Sequence, residues 1–178
     1  MRYAQHVRRT EYSPRPPQGD DLRLAIQSGA VIPVLLMLPN LGWMLFPGPD
    51  DAPRPLVPAA LAIAENVGRG AVLALPFFYS LDLQRQFSML ALTAMTLALA
   101  VYYVAWGRYF ANGRSAEFLS ARLVGIPSPL ALAPIALFAV SSYLMDSWLM
   151  LGASMYFGAL HVWVSSVSHG TERRTLSA

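Results

Sequence analysis

Long apolar segments recur along this chain, and they restrict the fold more than any other feature of the sequence. Polar or turn-rich links separate them, and each has about the length that a helix needs to cross a bilayer. The segments cover residues 24–46, 56–81, 87–106, 123–145 and 148–167. Because a bilayer offers the backbone no hydrogen-bond partner, the segments are expected to be helical. The sequence therefore predicts an all-α integral membrane protein, a small bundle of about five transmembrane helices.

The composition supports this interpretation. Of the 178 residues, 55% are hydrophobic and only 13% are charged, which is about half the charged fraction of an ordinary soluble domain. The chain has no cysteine, so disulfides, thiolate metal sites and cysteine nucleophiles are excluded. Its basic residues are all arginine and flank the apolar segments. Orientation in a membrane explains that placement better than nucleic-acid binding does.

The chain divides into a polar tail, a bundle and a second short tail. Residues 1–21 are rich in Arg and Pro, residues 22–168 contain the apolar segments, and residues 169–178 are polar. The arginines of the first tail place the amino terminus in the cytoplasm by the positive-inside rule. Arginine without lysine is typical of a GC-rich bacterial genome. The expected location is therefore a bacterial cytoplasmic (inner) membrane, crossed several times.

The number of crossings is open because residues 56–81 allow two interpretations. Five full crossings place six flanking arginines on each side. If 56–81 is instead a re-entrant helical hairpin between four crossings, ten lie inside and two outside, which the positive-inside rule favours. Gly68 and Gly70 would permit the reversal. Glu65 and Arg69, four residues apart, are instead ordered to pair on one continuous helix.

The segment at 56–81 also carries polar residues where hydrocarbon is expected. Glu65, Asn66 and Arg69 lie near its middle. A charge at the centre of a spanning helix costs about 2.5–3.5 kcal/mol on insertion scales, so these residues are expected to face protein rather than lipid. They form a candidate polar membrane centre, which is either a functional site or an ion pair that holds the helices in register. Small residues at four-residue spacing, ending at Gly68, predict close approach by another helix.

A second polar stripe follows the last apolar segment. Small and polar residues recur there at spacings of three and four, which places them on one helix face; they include Ser147, Ser154, Gly158, His161, Ser165 and Ser168. The face is expected to turn inward, with Ser154, His161 and Ser165 as its main polar members. His161 either makes an interhelical hydrogen bond or serves as a partner of Glu65 in proton or ion movement. The two other histidines lie in the tails, so the sequence predicts neither a metal site nor a cofactor.

The longest polar loop, residues 107–122, contains three arginines beside aromatic residues. Arg108, Arg114 and Arg122 are expected to contact anionic lipid headgroups. The sequence contains no phosphate-binding loop, no His-Glu-x-x-His motif and no nucleophile elbow. No catalytic residue is therefore predicted.

These features support three functional hypotheses. The leading one is passage of a proton, ion or small solute through the polar centre at Glu65, Asn66 and Arg69. The second is a non-catalytic structural or accessory subunit of a larger membrane complex, and the third is a lipid-modifying membrane enzyme. A chain this short is expected to form a homo-oligomer or to join a larger complex, with the lipid bilayer as its other partner.

Overall fold

The structure, a computed structural model, describes residues 27–46, 48, 57–115, 118 and 128–175, with side chains as far as residue 165. It consists of helices and their connections. The helices are α1 Val31–Leu45, α2 Ala59–Ala74, α3 Ser88–Ala111, α4 Pro129–Leu144 and α5 Trp148–Thr175. For the described residues the all-α prediction is confirmed. The predicted tail at residues 1–21 lies outside them.

Two helices are long and apolar enough to cross a membrane, judged by length and composition. They are Ala59–Phe78, where a 3-10 turn extends α2, and Ser88–Ala111, with 20 and 24 residues. Helices α1 and α4 are apolar but have only 15 and 16 residues, about 23 Å at 1.5 Å per residue. Helix α4 begins at Pro129, because proline suits the first helical position, where its missing N–H is not needed.

The re-entrant hairpin predicted as an alternative at 56–81 is wrong. Helix α2 continues through Gly68 and Gly70 without a reversal. Glycine permits a sharp turn but does not impose one. At these positions the side chains of Glu65 and Arg69 pair across one helical turn, which only the continuous helix allows.

The helices pack in a curved row that brings the two polar helices together. Helix α4 lies between α3 and α5, α5 also packs on α2, and α1 contacts α3. Small residues allow the two closest approaches. A Cβ added at Gly68 would lie 3.0 Å from the ring of Tyr156 in α5, and one added at Gly158 would lie 2.8 Å from Ile135 in α4.

The connection between α2 and α3 is fastened to the chain before α1. Ser28 and Ser80 form an isolated antiparallel bridge, and the amide of Gly29 donates to the carbonyl of Tyr79 at 2.9 Å. A Cβ at Gly29 would lie only 2.5 Å from the carbonyl oxygen of Pro76. Glycine is therefore required there for the two segments to meet.

An arginine in the same connection ties α3 to the turn between α4 and α5. The guanidinium of Arg85 lies 2.6 Å from the carboxylate of Asp146 and 4.6 Å from the ring centroid of Tyr143. It also donates to the carbonyl of Tyr143, and the hydroxyl of Tyr143 donates to the carbonyl of Gln86. The hydrogen bond to Asp146 raises the pKa of Arg85 above its ordinary value, so this guanidinium stays a cation.

The close approach at Gly68 predicts a difference between two glycines of α2. Gly68→Val is expected to lower the free energy of unfolding by about 1–3 kcal/mol, the usual cost of overpacking, because the new side chain meets Tyr156 and Phe157. Gly70→Val is the matched control, since no atom lies within 4 Å of a Cβ there. The free energy of unfolding of Gly70→Val should stay within about 0.5 kcal/mol of the wild-type value. Equilibrium unfolding in mild detergent, followed by circular dichroism, measures both, and equal effects would contradict the packing.

Candidate functional site

Glu65 is the centre of a hydrogen-bonded cluster between α2 and α5. Its side chain is 8% exposed. One carboxylate oxygen, Oε1, lies 2.5 Å from Nη2 of Arg69 and 2.6 Å from Nδ1 of His161. When Glu65 is ionised, its carboxylate only accepts hydrogen bonds, so both neighbours then donate to it and Nδ1 of His161 carries a hydrogen. In neutral His161, Nε2 is then left as an acceptor.

The two helices place these side chains through local sequence. Arg69 follows Glu65 by four residues on α2, which puts both on one face. His161 belongs to the inward stripe of α5, and its ring stacks on Phe157, one turn earlier, with centroids 5.1 Å apart and planes inclined by 21°. The absence of a side chain at Gly68 lets α5 come close enough for His161 to reach Glu65.

Within the cluster the side chain of Glu65 is buried, whereas that of Arg69 is half-exposed. The side chain of Arg69 is 47% exposed, and its Nη1 lies 3.4 Å from Oδ1 of Asn66. Asn66 itself is exposed, although the sequence predicts that all three residues face protein. Consecutive helical residues are about 100° apart around the axis. Glu65 and Asn66 therefore cannot both face α5, and the acid takes the buried position.

A cavity of about 380 Å³ adjoins the cluster and receives side chains from all five helices. Arg69 enters it from α2 and His161 from α5. The remaining walls are mainly apolar and aromatic, and include Met37, Trp43, Val72, Leu130, Phe138 and Phe157. The cavity has the size and lining of a small-molecule site, in which a few polar groups are set in an apolar wall.

A second polar pair, Asn40 and Tyr102, lies on the same cavity. The amide nitrogen of Asn40 donates to the Tyr102 hydroxyl at 2.7 Å and to the Leu36 carbonyl at 3.0 Å. Sequence reasoning missed both residues. The available signal was an amide inside the first apolar segment, where a polar side chain needs a partner.

Two further members of the predicted stripe, Ser154 and Gly158, make their contacts elsewhere on α5. Ser154 is fully buried, and its hydroxyl donates to the carbonyl of Met150 at 2.7 Å. Ser165 is partly buried, one helical turn beyond His161. Gly158 contributes by its size, since it allows α4 to approach.

Two of the three arginines predicted for lipid headgroups, Arg108 and Arg114, are described, and neither lines the cavity. The guanidinium of Arg108 lies over the ring of Phe118 at 5.8 Å, and Arg114 follows the end of α3 with a φ of 63°. Arg122 lies outside the described residues. Three aromatic residues expected beside these arginines are instead buried against one another; they are Tyr102, Trp106 and Tyr109.

Comparison of the chain with protein-family models, with curated proteins and with solved structures gives no match. Within the described part of the chain, no three His, Asp or Glu side chains converge as metal ligands. Glu65 and His161 form instead a hydrogen-bonded carboxylate–imidazole pair next to the guanidinium of Arg69.

The shared carboxylate predicts strong coupling between substitutions in the cluster. Glu65→Leu removes the acceptor of two donors and should lower the free energy of unfolding by about 1–3 kcal/mol, less than for a fully buried pair because Arg69 is half-exposed. Arg69→Leu should cost at least as much, since it leaves the buried carboxylate with one donor. The double variant is expected to regain at least half of the summed loss. Strictly additive losses in detergent unfolding experiments would show that the two side chains do not stabilise each other.

Proposed function

We propose that this protein is a small polytopic membrane protein that passes a proton, ion or small solute through the polar centre at Glu65, Asn66 and Arg69, with His161 as a second titratable group. One observation carries the proposal. Nδ1 of His161 lies 2.6 Å from the carboxylate of Glu65, at the edge of a cavity that all five helices line. Two groups that exchange protons at membrane depth are typical of transport pathways.

The outer surface supports a membrane setting. Only 22% of the Ala59–Phe78 span and 28% of the Ser88–Ala111 span are buried, whereas the apolar core helix of a soluble protein would be mostly buried. Large apolar side chains are exposed on α1, α2, α3 and α5; examples are Met44, Ile63, Met89 and Trp148. Such a surface is costly in water and suits contact with acyl chains.

The chemistry of His161 supports the movement of a proton. Imidazole exchanges protons near neutral pH and has two nitrogens on opposite sides of the ring. Nδ1 faces Glu65, and the ring also borders the cavity. A proton taken up from the cavity at Nε2 can therefore be followed by release from Nδ1 toward the carboxylate. Arg69 stays charged throughout and balances Glu65 whenever that carboxylate is ionised.

The proposed setting is a bacterial cytoplasmic membrane crossed five times, with the amino terminus in the cytoplasm. The arginine-rich first tail supports this orientation, and the continuity of α2 supports a full crossing by that helix over a re-entrant hairpin. The single cavity at the cluster is small for a complete pathway through a bilayer about 30 Å thick. A homo-oligomer, or a larger membrane complex, would enclose the rest.

Flux measurements test the transport proposal. The purified protein is reconstituted into vesicles that contain a pH-sensitive dye, and a pH gradient is imposed under a clamped potential. Glu65→Gln and His161→Gln are each expected to reduce proton flux at least tenfold, because each removes a proton-exchanging group. The matched control is Asp82→Asn, an exposed carboxylate that accepts from the amide of Gln84; its flux should equal wild type. Wild-type flux in both cluster variants would exclude the relay.

Topology mapping tests the membrane arrangement. Five crossings with a cytoplasmic amino terminus place the carboxyl terminus on the opposite side. A fluorescent reporter that is active only in the cytoplasm should therefore be dark after Ala178 and bright before Met1. A periplasmic phosphatase reporter should give the opposite pattern. A cytoplasmic signal from both ends would contradict five crossings.

A structural role is the second candidate function, because the cluster joins two helices. Glu65 on α2 accepts from His161 on α5, and a buried polar contact of this kind can hold a helix pair in register. A non-catalytic subunit of a larger membrane complex would use it in this way. If the role is structural, Glu65→Leu/Arg69→Leu should still assemble with a co-purifying partner, because the apolar double replacement strands no charge. If the protein is a transporter, the same variant should lose flux.

A further inference from the structure

Arg69 lines the cavity and has N–H groups that its described hydrogen bonds do not use. A guanidinium has five N–H groups, and the described contacts of Arg69 use two of them, to Glu65 and Asn66. The side chain is 47% exposed and forms part of the cavity wall. Planar guanidinium groups bind carboxylates through paired N–H donors. Arg69 is therefore suited to hold an oxyanion in the cavity.

The rest of the cavity is suited to an apolar body attached to that oxyanion. Its volume of about 380 Å³ exceeds that of a single aromatic ring with a carboxylate. Trp43, Phe138 and Phe157 supply ring surfaces from three different helices. Across the cavity, the only polar pair that the structure describes is Asn40 with Tyr102, which carries no charge.

The charge balance of the cavity limits which anion it can take. Glu65 and Arg69 cancel, so with neutral His161 the site has no net charge. An added anion in this low-dielectric setting is costly unless a positive charge accompanies it. Of the described residues that line the cavity, α1 and α4 offer no titratable group and α3 offers only Tyr102. The compensating proton therefore goes to Glu65 or His161, and His161 is favoured because its Nε2 takes the proton while Nδ1 keeps its contact with Glu65, whereas a protonated Glu65 would lose its ionic pairing with Arg69.

We propose that the cavity binds an apolar monocarboxylate together with one proton. The carboxylate contacts the guanidinium of Arg69, and the proton from solution binds Nε2 of His161. Nδ1 continues to donate to Glu65, so the imidazolium gains a hydrogen without losing a bond. The loaded site is neutral, with two positive and two negative charges. This inference rests on the proposed transport function and names its substrate class as a weak organic acid co-bound with a proton.

Calorimetric titration of the full-length protein in mild detergent tests the proposal, with benzoate as the probe. Titrations are run in two buffers of different ionisation enthalpy, which reveals the number of protons taken up on binding. One proton is expected per benzoate, and affinity should rise by about tenfold for each pH unit that is lowered while free His161 is neutral. Benzamide, which has the same shape without charge, should bind at least tenfold more weakly. Equal binding of benzamide, or benzoate binding without proton uptake, would overturn the proposal.

Three variants assign the roles of the cluster. Arg69→Gln should weaken benzoate binding at least tenfold at every pH. His161→Gln should remove proton uptake and the pH dependence. Glu65→Gln leaves the site with a positive charge already present, so benzoate should bind without taking up a proton. Retention of one-proton uptake by Glu65→Gln would contradict the charge balance. The two-buffer and benzamide experiments on wild type remain decisive if a variant fails to fold.

The outcome also separates this inference from the transport function. Proton flux that depends on Glu65 and His161, in a protein that does not bind benzoate, would reject the carboxylate and leave the relay intact. The opposite result is also informative. If benzoate binds with one proton but Glu65→Gln and His161→Gln leave proton flux in vesicles unchanged, the carboxylate site is retained and the proton pathway is rejected. Phenyl phosphate, a dianion above pH 7, should bind more weakly than benzoate because one added proton does not balance it.

Discussion

A single buried carboxylate connects the two polar helices of this protein. Glu65 accepts from Arg69 on its own helix and from His161 on α5. Hydrophobic contact between helices is non-directional and leaves their rotation and sliding weakly determined. A charged hydrogen bond is strong only within a narrow range of distance and angle. The contact between Glu65 and His161 thus sets where α5 lies on α2, and the cavity beside it takes its shape from that placement.

Other residues lower the steric and electrostatic cost of placing Glu65 between α2 and α5. Gly68 removes the side chain that would keep α5 away, and Gly158 does the same on the α4 side. Phe157 stacks on the imidazole and shields one of its faces. The acid is buried and the arginine is half-exposed, so the permanent cation keeps access to polar surroundings. If both side chains of the ion pair were buried, further hydrogen bonds would be needed to offset the cost of removing the two charges from water.

The interior and the outer surface of the bundle differ in the side chains that they carry. Large apolar side chains are exposed over the outer surface, while most polar side chains in the described interior are hydrogen-bonded, the buried indole nitrogen of Trp106 being the exception. Buried Ser141 and Ser154 donate to carbonyls of their own helices, and Asn40 donates to Tyr102. This distribution is expected when hydrocarbon surrounds a protein. Exposing an apolar side chain to hydrocarbon then costs no free energy, whereas a polar group without a hydrogen-bond partner costs several kcal/mol. The cavity is the one described place where charged side chains and apolar walls meet across all five helices.

Much of the architecture was predictable from periodicity and length. The apolar segments become helices, and the four-residue interval between Glu65 and Arg69 becomes an ion pair, because both depend on local geometry alone. The inward stripe of α5 was also visible, since spacings of three and four define a helix face. Asn40 and Tyr102 were not predicted as partners. One is a single amide in an apolar segment, and the other belongs to an aromatic run typical of a membrane interface.

The sequence by itself determined that the chain forms apolar helices and that an acid and a base share one face of α2. Only the tertiary structure decided that His161, 96 residues after Glu65, meets the same carboxylate. It also decided that residues 56–81 do not reverse at the glycines. The physical reason is that local patterns record which face of a helix is polar, whereas the partner of that face depends on how distant helices rotate and pack. That choice is made by contacts such as Gly68 with Tyr156, which sequence spacing does not encode.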